Sequence, residues 1–311
     1  MKKLSTKLSL FILLLIFLFL SIFIFDYFVM GNQYSRSYNA SLIDKYARLS
    51  SISEPKIILV GNSNVSFGIN SAMIEDALGM PVVNLGLHGN LGNKFHENII
   101  KGNVSAGDIV VICHTSYSDN GEIQDPQLAW LTIGKNPELW VIIEPDDYLD
   151  MMIAYPSYFR KSFELWSRGK GNEETTDCYS RSAFNEYGDV VRRPPVEFQS
   201  AWFVGNQVPP DINDTCVNRL NELNDYITAC GATLYIAGYP IAYGDNTSPK
   251  EVFAAFEDDL RSRLNCEVIS HFSDYFFPHE MFYNGNYHLT EEGAAIRTNL
   301  LICDLQNALR Y

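Results

Sequence analysis

The sequence predicts an α/β protein: one mostly parallel sheet of five strands, helices over both faces, and a single membrane-spanning helix in front. Three observations predict it. Short apolar runs alternate with segments of helical periodicity, the pattern of strand–helix–strand crossovers in a parallel sheet. The run from Ile109 to Cys113 is apolar at every position, as strands buried on both faces are. The stretch from Leu8 to Phe25 is uncharged and rich in Leu, Ile and Phe, and a run of about 18 such residues can cross a bilayer as a helix.

The amino terminus comes first. Lys2, Lys3 and Lys7 precede the apolar stretch and favour a cytoplasmic amino end. A cleaved signal peptide has a shorter apolar core and a small-residue cleavage site, and this segment has neither. Residues 1–30 are therefore expected to be a cytoplasmic tip and an uncleaved signal-anchor. Residues 31–54, polar and rich in Ser and Tyr, read as a stalk. Residues 55–311 read as the α/β domain, with an insertion at about 119–208. This topology puts the domain outside the cytoplasm, in a periplasm or at the cell surface.

Within the domain, Lys56 to Val60 reads as the first strand. Asn70 to Leu78 reads as a helix that Gly79 stops. Pro81 to Leu85 is the second strand, Asn93 to Lys101 a helix, and Asp108 to Cys113 the third strand. The alternation then breaks into sequence rich in aromatic residues, Pro, Asp and Arg. One segment of it, Asp147 to Arg168, has helical character, with Pro156 as an interruption. Alternation resumes with a helix over Asn213 to Ala229, where Leu220, Leu223 and Ile227 recur at helical spacing. Thr233 to Ala237 is the fourth strand. Ser248 to Leu264 opens with Ser-Pro-Lys-Glu, a good helix start. Cys266 to Ser270 is the fifth strand. Thr290 to Leu309 is the last helix, with Glu291 and Glu292 at its amino end.

Composition excludes some classes. A net charge of −14 argues against a nucleic-acid partner, which needs a basic face. None of the six cysteines forms a CxxC or a Cys/His metal spacing, so the motifs call for no metal and no cofactor. Cys113 reads as a buried strand residue. Cys178 and Cys216, in more polar sequence, are the pair to expect if a bridge forms. The Asn-x-Ser/Thr sequons, among them Asn64 beside Ser63, are taken as chance.

In a parallel α/β sheet, ligands bind beyond the carboxyl ends of the strands. Gly61-Asn62-Ser63-Asn64 follows the first strand and lifts a serine to that edge. Tyr287-His288-Leu289-Thr290-Glu291-Glu292-Gly293 brings a histidine just ahead of the last helix. A hydroxyl is a weak nucleophile until a base lies within hydrogen-bond reach, and a neutral imidazole is such a base. Acyl transfer also needs donors aimed at the developing oxyanion. The N–H groups of Ser63 and of Gly89, in Asn84-Leu85-Gly86-Leu87-His88-Gly89-Asn90, are candidates.

These blocks resemble those of the SGNH (GDSL-like) hydrolase family. Gly61-Asn62-Ser63 is similar to its first block, usually Gly-Asp-Ser. Asn84 to Asn90 is similar to the second, whose glycine gives an oxyanion donor. Tyr287-His288-Leu289 with Gly293 is similar to the block of the catalytic histidine. The likeness covers roughly residues 55–115 and 230–309. It implies a flavodoxin-like three-layer sandwich, with Ser63 as nucleophile and His288 as base. Where the family has an aspartate three residues before the histidine, this chain has Gly285, with Asn284 one position further back. An asparagine oxygen can still orient an imidazole; Asp274 is the nearest aspartate upstream. Asn120, after the third strand, is the candidate for the asparagine of the family's third block.

The membrane-anchored branch of the family is the most similar. By that likeness the protein is a serine-dependent esterase or O-acyltransferase. It would act through an acyl-enzyme on acyl groups, acetyl foremost, of a cell-envelope polysaccharide. The alternative is a catalytically impaired module that binds a glycan, or a protein partner, in a polysaccharide assembly or modification complex. His88 reads as a loop residue near the site, and His96, His114, His271 and His279 as structural. The insertion aromatics Trp130, Trp140, Tyr155, Tyr158, Phe159 and Trp166 read as core or as a cap or, in a sharper version, as a sugar-stacking platform.

Overall fold

The computed structural model describes residues 2–169, 177–197, 199, 203 and 207–309. Seven strands occur among them: β1 (Ile57–Val60), β2 (Val82–Asn84), β3 (Ile109–Ile112), β4 (Thr233–Ile236), β5 (Ile241–Tyr243), β6 (Glu267–Val268) and β7 (Phe276–Pro278). The main sheet has the order β2-β1-β3-β4-β6 and is parallel throughout. Ile58 lies opposite Val83 on one side and Val110 on the other, and Val110 lies opposite Leu234. The chain winds outward in one direction to β2 and in the other from β3, so the order reverses between β1 and β3. A crevice opens at such a reversal, beyond the strand ends.

Ten helices complete the described fold: α1 (Lys2–Ile24), α2 (Ser41–Ser51), α3 (Ser63–Gly68), α4 (Ser71–Leu78), α5 (Asn93–Asn98), α6 (Pro126–Ile133), α7 (Tyr148–Ser167), α8 (Asp214–Ala229), α9 (Lys250–Arg263) and α10 (Glu291–Leu309). Alternate strand residues feed two cores. Ile58, Val60, Val110 and Ile112 pack with Leu42 of α2, Leu220 of α8 and Leu260 of α9. Ile57, Leu59 and Val111 pack with Ile74 of α4 and with Leu301 and Leu305 of α10. Each such side chain, fully buried, contributes about 1.5–3 kcal/mol relative to exposure. At the amino ends of β1 and β3 the buried Lys56 ammonium lies 2.9 Å from Asp108 Oδ2 and ties the central strands together.

Several expectations are corrected. Residues 31–54 are no free stalk. Tyr34, Leu42 and Leu49 are buried, and α2 lies against the main core. The buried Lys45 donates to the carbonyl oxygens of Gly86 (2.6 Å) and Gly188 (2.8 Å). A helical stripe of Leu42, Lys45 and Leu49 is hidden in a Ser- and Tyr-rich composition. Pro156 does not interrupt α7, which runs through it for 20 residues. The inserted segment is no separate cap, because Ile133, Trp130, Tyr155 and Tyr158 belong to the main core. Trp130 packs on Trp140, Tyr155 and Tyr158 (centroids 4.8–5.4 Å), so these aromatics are packing rather than a platform. The six cysteines are free. Cys178 sits in an aromatic cluster with Tyr38 and Phe67, and Cys216 in the main core, so the expected pair is not bridged. A small parallel sheet, β5 beside β7 with Ile241 opposite Phe276, was not foreseen.

The apolar amino-terminal segment forms α1 and continues as a wider helical turn over Phe25–Met30. The span Thr6–Met30 is long and apolar enough to cross a membrane. Asp26, which ends the apolar run, is buried. Tyr155 Oη donates to its Oδ2 (3.2 Å), and Lys135 Nζ lies 3.1 Å from its Oδ1.

Candidate active site

Ser63 opens α3 directly after β1. Gly61 is required there, since a Cβ would lie 2.6 Å from Val65 Cγ2 and 3.0 Å from the Cys113 carbonyl. Asn62 caps the helix. Its Oδ1 accepts from the Asn64 N–H (2.9 Å) and from Asn64 Nδ2 (2.7 Å). This is the work an aspartate would do at a helix start, done by a neutral amide. The buried Arg297 of α10 donates to the Asn64 carbonyl (2.7 Å) and to Asn64 Oδ1 (2.9 Å), fixing the turn from the opposite end of the chain.

His288 reaches Ser63 from the loop between β7 and α10. Its Nε2 lies 2.8 Å from Ser63 Oγ. Its Nδ1 lies 2.7 Å from Asn284 Oδ1. Asn284 Nδ2 in turn donates to Tyr179 Oη (2.9 Å) and faces Cys178 Sγ at 3.6 Å. With Nδ2 donating to the tyrosine oxygen, Oδ1 is the amide atom turned toward the imidazole. The Nδ1 proton then goes to Asn284, and the Nε2 lone pair faces the serine hydroxyl. The imidazole stacks on Phe67, with centroids 4.1 Å apart and planes 11° from parallel. Burial, reinforced by the positive charges of His88 and Arg193, lowers the His288 pKa to about 3. The ring is therefore neutral at ordinary pH, as a proton acceptor must be.

The other strand ends supply the walls. Gly89 begins a short turn after β2, and a Cβ on it would meet the Asn62 side chain at 3.6 Å. At the first residue of a helix or turn the backbone N–H has no partner within that element, which holds for both Ser63 and Gly89. After β3, Thr115 Oγ1 accepts from Asn62 Nδ2 (2.7 Å), leaving its own proton to donate elsewhere. That loop is braced from beneath by His114 Nε2 against Glu97 (2.9 Å). Arg219 bridges Glu97 (2.7 Å) and Asp119 (2.5 Å). A cleft lies between these loops. Asn62, Gly89, Asn93, Thr115, Ser118 and Asn120 line it.

The structure thus brings together Ser63, His288 and Asn284, with Gly89 against the neighbouring Asn62. Asn120 is exposed along the same cleft. Among the described residues no hydrogen bond joins its side chain to the Ser63 turn; Thr115 makes that contact instead. Asp274 sits in a turn facing Asp304, and no described carboxylate bonds to His288. His271 is bonded to Glu257 (2.9 Å) and His279 stacks on Phe203 (4.0 Å), both structural arrangements. Sequence reasoning missed Thr115, Tyr179 and Arg297. Thr115 had a signal, since it follows a central strand at the reversal of order. Tyr179 had none, because a long insertion delivers it.

Among the described residues, Glu144, Asp146 and Asp147 are the one carboxylate group near enough to share a cation. Lys94 already fills that place, 2.9 Å from both Asp146 and Asp147 and 3.5 Å from Glu144. Comparison with protein-family models, with curated proteins and with solved structures finds no match.

Proposed function

We propose that the protein is a membrane-anchored serine esterase or O-acyltransferase of the SGNH type, acting outside the cytoplasm on acyl groups of a cell-envelope polysaccharide. One observation carries the reading: the relay from Ser63 Oγ through His288 to Asn284, at 2.8 and 2.7 Å, at the carboxyl edge of a parallel sheet. Ser63 Oγ attacks the ester carbonyl while His288 Nε2 takes the hydroxyl proton. The Ser63 and Gly89 N–H groups, with the Thr115 hydroxyl, donate to the oxyanion. Collapse breaks the bond to the leaving alcohol, which receives the proton from His288. Water or a sugar hydroxyl then attacks the acyl-enzyme by the same steps in reverse. The side-chain amides and hydroxyls of the cleft suit a polyol acceptor or donor.

A second reading has its own support. The partner of His288 is a neutral amide, so the imidazolium formed in catalysis gains no carboxylate. This favours a catalytically impaired glycan-binding module. A fluorophosphonate probe on the full-length protein in nanodiscs separates the two. Labelling of the wild type, abolished in Ser63→Ala and His288→Ala, is the result expected for the enzyme. A folded protein that stays unlabelled overturns it in favour of the binding module.

A further inference from the structure

One surface of the domain has no counterpart in the site. Helix α7 buries Met151, Tyr155, Tyr158 and Ser162 against the core. Beside that stripe runs a second one, apolar and largely exposed. It comprises Tyr148, Leu149, Met152, Ile153, Phe163 and Trp166. Leu149 and Ile153 are 66% and 68% exposed, among the barest large apolar side chains on the molecule. The spacing repeats every three or four residues, so these side chains share one flank of the helix. The polar residues Asp150, Lys161, Glu164 and Arg168 occupy the remaining side, and Arg160 alone among the charged residues lies within the apolar flank, where a long side chain can reach up to the headgroups. An apolar arc wider than the core it packs against is the mark of a helix with a second apolar environment.

The amino-terminal helix indicates which environment that is. Phe19 and Phe23 both contact Tyr155 in the middle of α7 (centroids 5.6 and 5.9 Å). Phe25 contacts Trp166 near its carboxyl end (5.4 Å). Lys135 and Tyr155 hold Asp26 at the same place. Helix α7 is therefore seated along the last part of the only apolar span among the described residues. At 1.5 Å per residue, the contacts from Phe19 to Phe25 cover about 9 Å of that span. An interfacial helix buries its apolar face about 5–10 Å into the headgroup–acyl boundary, a matching depth.

We propose that α7 is an interfacial helix: its Tyr148–Trp166 apolar flank lies in the outer acyl boundary of the bilayer that α1 spans. The occupant of the bare face is lipid, because the face is continuous with a segment that itself requires lipid. Trp at the level of the headgroups is in its favoured position. The role is independent of the chemistry at Ser63.

The test uses the full chain reconstituted singly in nanodiscs of phosphatidylcholine brominated near the top of the acyl chains. Tryptophan emission should be quenched relative to unbrominated discs, and Trp166→Phe should remove most of the quenching. A double variant, Leu149→Glu with Ile153→Glu, should weaken the quenching by at least half and redden the Trp166 emission, with circular dichroism unchanged. Phosphatidylcholine with an acyl-chain photoreactive group should leave adducts within residues 148–166. If Trp166→Phe leaves quenching unaltered and no adducts form there, the proposal fails. The bare face then belongs to solvent, to a second copy or to another protein. Cross-linking of chains through Leu149→Cys when two copies occupy a disc would identify the second copy and equally overturn the lipid assignment.

Discussion

The amide of Asn284 is held between two side chains, accepting at Oδ1 from His288 and donating at Nδ2 to Tyr179. When an asparagine replaces the aspartate of a serine relay, the hazard is that the amide turns its NH2 toward the imidazole and imposes the wrong tautomer. Here Nδ2 is engaged by the tyrosine oxygen and Oδ1 faces the ring. A relay without an anion can thus still present a lone pair to the serine.

Restoring the anion should raise activity. Asn284→Asp gives the imidazolium a carboxylate 2.7 Å away, in a half-buried site. Hydrolysis of a nitrophenyl acyl ester should rise in kcat by about tenfold or more, given how much such a carboxylate contributes elsewhere. Asn284→Ala should lower it. If Asn284→Asp folds and kcat does not change, the relay is not the limiting element.

Tyr179→Phe removes the oxygen that accepts from Asn284 Nδ2 in the observed orientation of the amide. The expected outcome is a fall in kcat of about tenfold with KM little changed, since one hydrogen bond is worth roughly 1 kcal/mol or slightly more. In the Asn284→Asp background the same substitution should have little effect, because a carboxylate has no wrong orientation. A double-mutant cycle on kcat measures that difference.

The depressed pKa of His288 sets a pH signature. With its pKa near 3 the base is neutral from mildly acidic to alkaline pH, so kcat/KM should show no inflection near 6.5. Stability follows by linkage. Between about 3 and 6.5 the unfolded chain binds a proton at this residue that the folded chain does not. Folding should therefore weaken as pH falls through that window. His288→Gln should flatten part of the decline in denaturant titrations at pH 4 to 7.

Thr115 and Asn120 can be set against each other. Thr115→Val keeps the shape and removes the hydroxyl bonded to Asn62. If that hydroxyl serves the oxyanion, kcat should drop by about 10²-fold. Asn120→Ala should change kcat by less than about threefold, within the range of an exposed contact. The reverse ranking would return the oxyanion role to Asn120.

Gly188 tests how the insertion is joined to the site. Its φ is +100°, and a Cβ would lie 2.2 Å from the Asn84 carbonyl oxygen, a backbone atom that cannot move aside. Gly188→Ala should destabilise the protein by about 3 kcal/mol or prevent folding. Thermal unfolding is the readout.

The sheet was legible because its strands are short apolar runs with no competing periodicity. Ser63 and His288 were legible because each sits at a strand end or helix start with local punctuation, Gly61 before one and Glu291–Glu292 after the other. Asn284 was reachable by counting back from His288. At the third wall residue type drew attention to Asn120, whereas Thr115, nearer the end of β3, is the residue bonded to the Ser63 turn. Tyr179 could not be read at all, since its nearness to Asn284 is decided by how an irregular segment returns across the sheet edge. Residues 31–54 were misread for a different reason. Composition averages over a helix that buries only four of its 11 residues.

That last segment governs how far the serine can travel. A flexible tether of about 24 residues would let a domain wander about 25–29 Å from its anchor. Here those residues are folded into the domain, and Asp26, Lys135 and Tyr155 clamp the far end of the anchor to it. The leash has no slack. On the proposed function, a membrane crossed by that span would hold Ser63 at one altitude, and only polymer passing at that height would come within its reach.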